Sequence, residues 1–405
     1  MRKAHVLILD TGQEWGGGSN SLLELVARLP KDRYRLRAVF YRDYRRGDGE
    51  TIGQALAERG VRFHHLPLPA GWREKLAREV GRALRFGRAR REFLFRHDLR
   101  WRVRPAAARL AALIKAEAVE LVYCNNQPST NLEGILAAGG SGVLCVAHIR
   151  KEAELRPFEV EAANAHVTRF ICVSRAMRDR YAACGIDAER IAVVYNGLDL
   201  GRPRPAADGE AYGAWGIAPG QPVVGAVGSL LKLKGYDLLL EAFAMVRRDR
   251  GVDARLVILG EGPERHALAA AARRLDVAEA VRFAGFVPDP LPVMARFDVL
   301  AVPSSTEGCP RSVLEAMFLG CPVAAFAVGG VPELVAHGRT GVLVRERDPR
   351  QLADALAMLL RDGERRRAMG AAARQHVAER FSVDRYVAEV DAVLTQALPC
   401  PTLTR

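Results

Sequence analysis

Cysteine is scarce and unpatterned in this 405-residue chain: seven thiols, an odd number, with no CxxC spacing and no Cys/His cluster. That argues against a disulfide framework and a structural zinc site, and it predicts a reducing compartment. Cys145 and Cys172 fall in apolar, strand-like runs and read as small core residues. No uninterrupted apolar run reaches membrane-spanning length. The opening MRKAHVLILDTG has a charged start and a short apolar run, but no small-residue cleavage site follows. It reads as a strand entering a turn, and a cytoplasmic chain is expected. Asp-x-Asp occurs nowhere, and no short-period repeat is found.

What is present suits a soluble globular protein: 49% apolar and 26% charged residues, long enough for two domains with separate cores. The formal charge of +13 is partly local. Between Arg73 and Arg109 thirteen basic residues face four acidic ones, interleaved with Trp72, Leu76, Leu84, Phe86, Phe93, Leu94, Phe95 and Trp101. Segment 72–109 therefore reads as a basic amphipathic surface for anionic lipid headgroups, or as a solvated Arg-rich helical face. A phosphate-binding strip would also serve nucleic acid, yet no recognised nucleic-acid fold motif accompanies it.

The stretch Val302–Val342, VPSSTEGCPRSVLEAMFLGCPVAAFAVGGVPELVAHGRTGV, concentrates the chemistry. An apolar run, Phe297–Val302, predicts a buried parallel strand. After a loop with Gly308 and Pro310, Ser312 is placed to cap a helix over Val313–Leu319, stopped by Gly320 and Pro322. A second strand, Val323–Phe326, leads through Gly329-Gly330 to Pro332 and another helix start. Helix starts beyond strand ends bind anions, phosphate above all, at the edge where open α/β sheets hold ligands. Glu307 and Glu315 would repel phosphate, but they suit ribose or sugar hydroxyls. The plainer alternative is a solvated Glu307 and a Glu315 that complements the helix dipole.

Upstream, strand Val6–Leu9, the run Gly16-Gly17-Gly18 and a helix over Ser19–Leu29 make a Rossmann-like opening. Strands follow near Leu36–Tyr41 and Val61–Leu66. A helix over Pro105–Ala116 precedes strands at Val119–Tyr123 and Val143–Ala147, the latter followed at once by His148. Strands at Phe170–Val173 and Ala192–Tyr195 lead to Ser174 and the turn Asn196-Gly197. The Pro- and Gly-rich run Gly201–Pro222 reads as an interdomain passage. A second opening begins with strand Val223–Val227, the loop Gly228–Gly235 and a helix over Tyr236–Val246. Strands at Leu256–Leu259 and Val281–Gly285 come next, and helices over Gln351–Leu360, Arg365–Val377 and Asp384–Ala397 close the chain.

Glu307, Glu315, Gly329-Gly330 with Glu333, and Thr340-Gly341 together resemble the retaining, nucleotide-sugar-dependent glycosyltransferases of family 4 (glycosyl transferases group 1). The resemblance covers nearly the whole chain. It implies the α/β GT-B fold: two facing Rossmann-like domains with an interdomain cleft, here 1–200 on the acceptor side and 201–380 on the nucleotide-sugar side. The segment 381–405 would return a helix to the first domain. The donor would be a nucleoside diphosphate sugar, with no further cofactor. The missing Asp-x-Asp, which metal-dependent glycosyltransferases use, agrees with a metal-independent site. Lys234 would hold the diphosphate, Glu307 a donor-sugar hydroxyl and Glu315 the ribose. Gly308, Cys309, Pro310, Arg311, Ser312 and Val313 would contact the donor through backbone. Gly17 is implied as a donor contact, His148 as a hydrogen-bonding partner of the donor sugar, and Val287 as a backbone contact to the base. Ser229 stands where the family commonly has Arg, so Lys232 or Arg311 would supply the charge, or Ser229 a neutral hydrogen bond. The acceptor is expected to be a lipid-linked or cell-envelope glycan, met at the inner face of the membrane. The rivals are a nucleotide-sugar epimerase of the same fold and a non-catalytic basic adaptor on membrane or nucleic acid with a vestigial nucleotide pocket.

Overall fold

The computed structural model describes residues 2–12, 15–67 and 87–398, with backbone alone for 88–91. The chain divides into two compact units. Unit 1 comprises Met1–Cys172, Arg178–Val194 and Val387–Arg405; unit 2 comprises Val173–Met177 and Tyr195–Tyr386.

Unit 1 carries strands β1 (Ala4–Asp10), β2 (Tyr34–Phe40), β3 (Arg62–His65), β4 (Leu121–Cys124), β5 (Leu144–Ile149), β6 (Arg169–Cys172) and β7 (Ile191–Val193). All pair in parallel, in the order β3-β2-β1-β4-β5-β6-β7. Unit 2 carries β8 (Val223–Val227), β9 (Arg255–Leu259), β10 (Val281–Gly285), β11 (Val299–Val302), β12 (Val323–Phe326) and β13 (Gly341–Val344). These too are parallel, in the order β10-β9-β8-β11-β12-β13. In both sheets the order reverses direction once, between β1 and β4 and between β8 and β11.

The central strands, such as β4, β11 and β12, are continuous apolar runs because helices cover both faces. In unit 2, Leu256 and Ile258 belong to one buried cluster with residues of helices Tyr236–Arg248 and Pro349–Arg361. The alternate residues Val257 and Leu259 belong to the cluster of Val313, Leu314 and Met317 on the other face. Each such buried side chain contributes roughly 1.5–3 kcal/mol.

Several boundaries differ from the sequence expectation. Phe297 is not in β11; its ring lies against Gly225, where an added Cβ would come within 1.9 Å of it. The helix after Glu307 begins at Arg311, because Pro310 is still extended (ψ 120°), so Ser312 lies inside the first turn and caps nothing. The run Gly201–Pro222 is part of unit 2: helix Gly209–Ala214 is capped by Asp208, and Tyr212 donates to the carbonyl of Val293 at 2.8 Å. From Val387 onward the last helix clusters with unit 1, where Asp391 accepts from Tyr34 at 2.7 Å and Arg33 at 2.5 Å. The first part of the basic segment, 72–86, lies outside the described residues. The rest forms helix Gly87–Asp98, a π-helical turn Leu99–Val103 and helix Arg104–Ala116.

Candidate active site

Ligands of open parallel sheets bind at the carboxyl edge where strand order reverses. In unit 2 that point is flanked by the loop after β8, Gly228–Gly235, and the loop after β11, Pro303–Pro310. The two loops are clamped together. Ser305 N–H and Oγ both donate to the carbonyl of Leu233, at 2.8 and 3.0 Å. Gly235 has φ +65°, and a Cβ there would stand 2.1 Å from the Pro303 carbonyl oxygen. The clamp brings Lys234 Nζ to 2.6 Å from Glu307 Oε1, which also accepts from Ser304 Oγ at 2.6 Å. The pair is 23% and 10% exposed, an ion pair shielded enough to matter yet open at one side. Sequence reasoning assigned these residues separate tasks and did not join them; 73 positions separate them along the chain.

Behind Glu307 the Gly329-Gly330 turn closes the loop. Gly330 N–H donates to the Glu307 carbonyl at 2.9 Å. A Cβ on Gly330 would fall 1.9 Å from the Gly308 carbonyl oxygen, so the backbones meet where no side chain fits. The adjoining Glu333 accepts from Arg175 N–H and Ala176 N–H, both at 2.9 Å, and from Tyr195 OH at 2.6 Å. The Cys309 carbonyl accepts from Asn196 at 2.7 Å.

Helix Arg311–Leu319 opens with no side-chain cap, which leaves its start suited to an anion. One turn in, Glu315 lies 3.6 Å from Arg311 Nε, with 13% of its side chain exposed. Burial pushes its carboxyl above the usual range, and Arg311 pulls it back part of the way. Arg311 also donates to the Gly197 carbonyl at 3.1 Å. Lys232 is exposed, in the turn Lys232–Lys234. Ser229 lies in the same loop, half-buried, and Val287 packs at the edge of the unit 2 core.

Unit 1 has its own polar assembly at its reversal point, largely unforeseen in the sequence. Asp10, ending β1, accepts from Gly12 N–H at 2.6 Å, Asn125 at 2.5 Å and Asn126 at 2.9 Å. Asn125 accepts from Arg150 Nε at 2.9 Å. His148 lies within β5, fully buried, rather than beyond its end. Its Nδ1 is 2.5 Å from Tyr123 OH and 3.4 Å from Arg150 Nη2. A guanidinium only donates, so Nδ1 accepts and the proton sits on Nε2. Burial, with Arg150 alongside, holds the imidazole well below its usual titration range, hence neutral. Gly17 begins helix Gly17–Arg28, again without a side-chain cap, and a Cβ on neighbouring Gly18 would touch Arg150 at 3.5 Å. Gly17 and His148 thus share one neighbourhood. A carboxylate directly ending the first strand, Asp10, was the available signal for this assembly.

Among the described residues no three His, Cys, Asp or Glu side chains group as metal ligands would, and no helix is long and apolar enough to cross a membrane.

Residues 15–202 match the family described as Glycosyltransferase Family 4, and residues 210–376 match Glycosyl transferases group 1. A D-inositol 3-phosphate glycosyltransferase of Nocardia farcinica is 40% identical over 48% of this chain and 45% of its own length. A GDP-mannose-dependent alpha-(1-6)-phosphatidylinositol monomannoside mannosyltransferase of Mycobacterium tuberculosis is 37% identical over 54% and 59%. The chain thus spans about half the length of the curated relatives it matches. In fold it is similar to Anabaena HepE in complex with UDP and glucose, at TM-score 0.78 and 22% identity over 97% of this chain and 100% of that one. It is also similar to sucrose-phosphate synthase from Thermosynechococcus elongatus, at TM-score 0.74 and 19% identity over 97% and 99%. The two parallel α/β sheets are those of the GT-B fold.

Proposed function

This chain belongs to the glycosyltransferases of family 4 and group 1, and from that premise we propose that it transfers a sugar from a nucleoside diphosphate sugar to an acceptor hydroxyl, with retention at the anomeric carbon. The observation that carries this reading is the Lys234–Glu307 pair at the unit 2 reversal point, beside an uncapped helix start. As the nucleoside diphosphate leaves, negative charge grows on its phosphates. Lys234 and the opening turn of helix Arg311–Leu319 receive it, a preorganised electrostatic role that needs no metal. Glu307 Oε1 is committed to Lys234 and Ser304, so its Oε2 is the atom for a donor-sugar hydroxyl. Glu315 takes the ribose hydroxyls. Ser229 leaves one cation fewer than the family commonly has, and Arg311, turned to Gly197 and Glu315, does not simply replace it.

A glycan or glycolipid acceptor at an anionic membrane surface is the partner we infer. Phe93 and Trp101 are 38% and 41% exposed, with His97 between them at ring distances of 6.5 Å. Arg96, Arg100 and Arg104 are interspersed, a pattern suited to anionic headgroups. Trp101→Ala should halve or more than halve co-sedimentation with phosphatidylglycerol vesicles; binding that ignores anionic lipid content would count against this partner.

A screen of nucleotide sugars, read as release of free nucleoside diphosphate and as the anomeric signal of the product, tests the activity. An inverted product would refute retention. Epimerised donor without transfer would favour the epimerase reading, and no donor binding at all would favour an adaptor.

A further inference from the structure

The amino-terminal edge of the unit 1 sheet, at the opposite end of β1 from Asp10, holds a cavity of about 600 Å³. This is a size typical of small-ligand sites. Val26, Leu29, Leu36 and Val61 supply its apolar lining. Lys3, Lys31, Arg35, Arg37, Arg59 and Arg62 also line it, and among the described residues no carboxylate does.

A plain structural account covers part of this charge. Helices Gly17–Arg28 and Ile52–Glu58 both end here, and cations complement the carbonyl ends of helices. Each such end carries roughly half an elementary charge. Glu117 pairs with Arg37 at 2.5 Å and with Arg62 at 3.9 Å, and Glu58 lies 3.9 Å from Arg59. Two helix ends and two carboxylates offset about three of the positive charges, leaving about three unanswered.

Arg37 makes the surplus specific. It is only 6% exposed, and its Nη1 is buried with no hydrogen-bond partner among the described residues. An unmet buried donor costs about 1–3 kcal/mol, more when charged, and rotation of the guanidinium toward an oxyanion in the cavity would satisfy it.

We propose that this cavity binds a phosphate-bearing ligand, its oxygens held by Arg37, Arg35 and Arg62 and its less polar part lying on the apolar lining. The site is separate from the transfer chemistry, since β1 alone spans about 20 Å between the two edges. A free diphosphate and a phospholipid headgroup present the same oxyanions.

Calorimetric titration of the full chain with pyrophosphate, and separately with monomeric short-chain phosphatidylglycerol, tests the proposal. Arg35→Glu/Arg62→Glu, at exposed positions, should weaken one class of binding at least tenfold and leave the melting temperature near the parent's. Lys234→Ala should spare that class while weakening pyrophosphate binding at the donor site, so failure of one site is distinguishable from failure of the other. Loss of pyrophosphate binding in the double variant identifies a soluble phosphate ligand, and loss of lipid binding alone identifies a headgroup. Binding of both probes unchanged by the double variant, or no binding outside the Lys234-dependent class, overturns the proposal.

Discussion

Lys234 Nζ and Glu307 Oε1 stand 2.6 Å apart, joining the loop after β8 to the loop after β11. Ser304 Oγ donates to the same carboxylate oxygen at 2.6 Å and fixes the carboxylate from behind. The ammonium is thereby held at the reversal point before any ligand arrives, so little reorganisation is needed when phosphate charge develops.

Removing one partner should be worse for stability than removing both. Lys234→Met leaves Glu307 as a shielded, unpaired carboxylate and should cost about 1–3 kcal/mol. Lys234→Met/Glu307→Gln should recover much of that loss in urea melts, while turnover stays depressed in both. Turnover that returns with stability would show the pair to be structural alone.

Glu315→Gln should divide stability from binding. Burial raises the parent's carboxyl, so the folded state favours the protonated form, and stability is lost as pH rises from the ordinary carboxylate range through the raised folded value. The glutamine variant lacks this loss and should gain on the parent as pH goes from 4 to 7. Its donor affinity should nonetheless fall by about 1.5–3 kcal/mol. Equal donor affinity by titration would remove Glu315 from the site.

Gly330→Ala should damage the site through backbone. Its Cβ would press on the Gly308 carbonyl and on Ser174, and overpacking of this kind costs typically 1–3 kcal/mol. It should also displace Glu307 and depress turnover. Gly338→Ala, with φ +76° but open space around it, should cost about 1 kcal/mol and leave turnover alone. Matched kinetics for the two variants would contradict the packing argument.

His148 should make stability fall with acid. Its folded value is depressed, so above the unfolded value of about 6.5 neither state takes up a proton. Below it the unfolded chain protonates first, and stability drops by up to about 1.4 kcal/mol per pH unit. In His148→Gln that contribution vanishes, so the parent's advantage should shrink between pH 7 and 5. Parallel urea midpoints over that range would mean that His148 is not held neutral.

Much of the architecture was legible because parallel strands covered on both faces write themselves as short apolar runs, as at Val323–Phe326 and Val281–Gly285, where the expected ends match the observed ones. Ends failed where a packing partner intervened, as when Phe297 turned from the strand to cover Gly225. His148 shows the same limit: the ladder with β6 continues through it to Ile149, and no local signal said so.

The order of residues along the chain determined the two Rossmann-like halves, the glycine turns that permit close backbone approach, and the pairing of each carboxylate with a neighbouring loop or helix start. These are consequences of periodicity and of φ/ψ limits, which act over a few residues. Tertiary structure alone decided which charges meet. Lys234 reaches Glu307, Asp10 gathers Asn125 and Asn126, and Arg37 keeps one donor unanswered among the described residues, because strand order brings together segments that lie 73 to 116 residues apart. Electrostatic partnership depends on distance in space, and the linear sequence does not carry that distance.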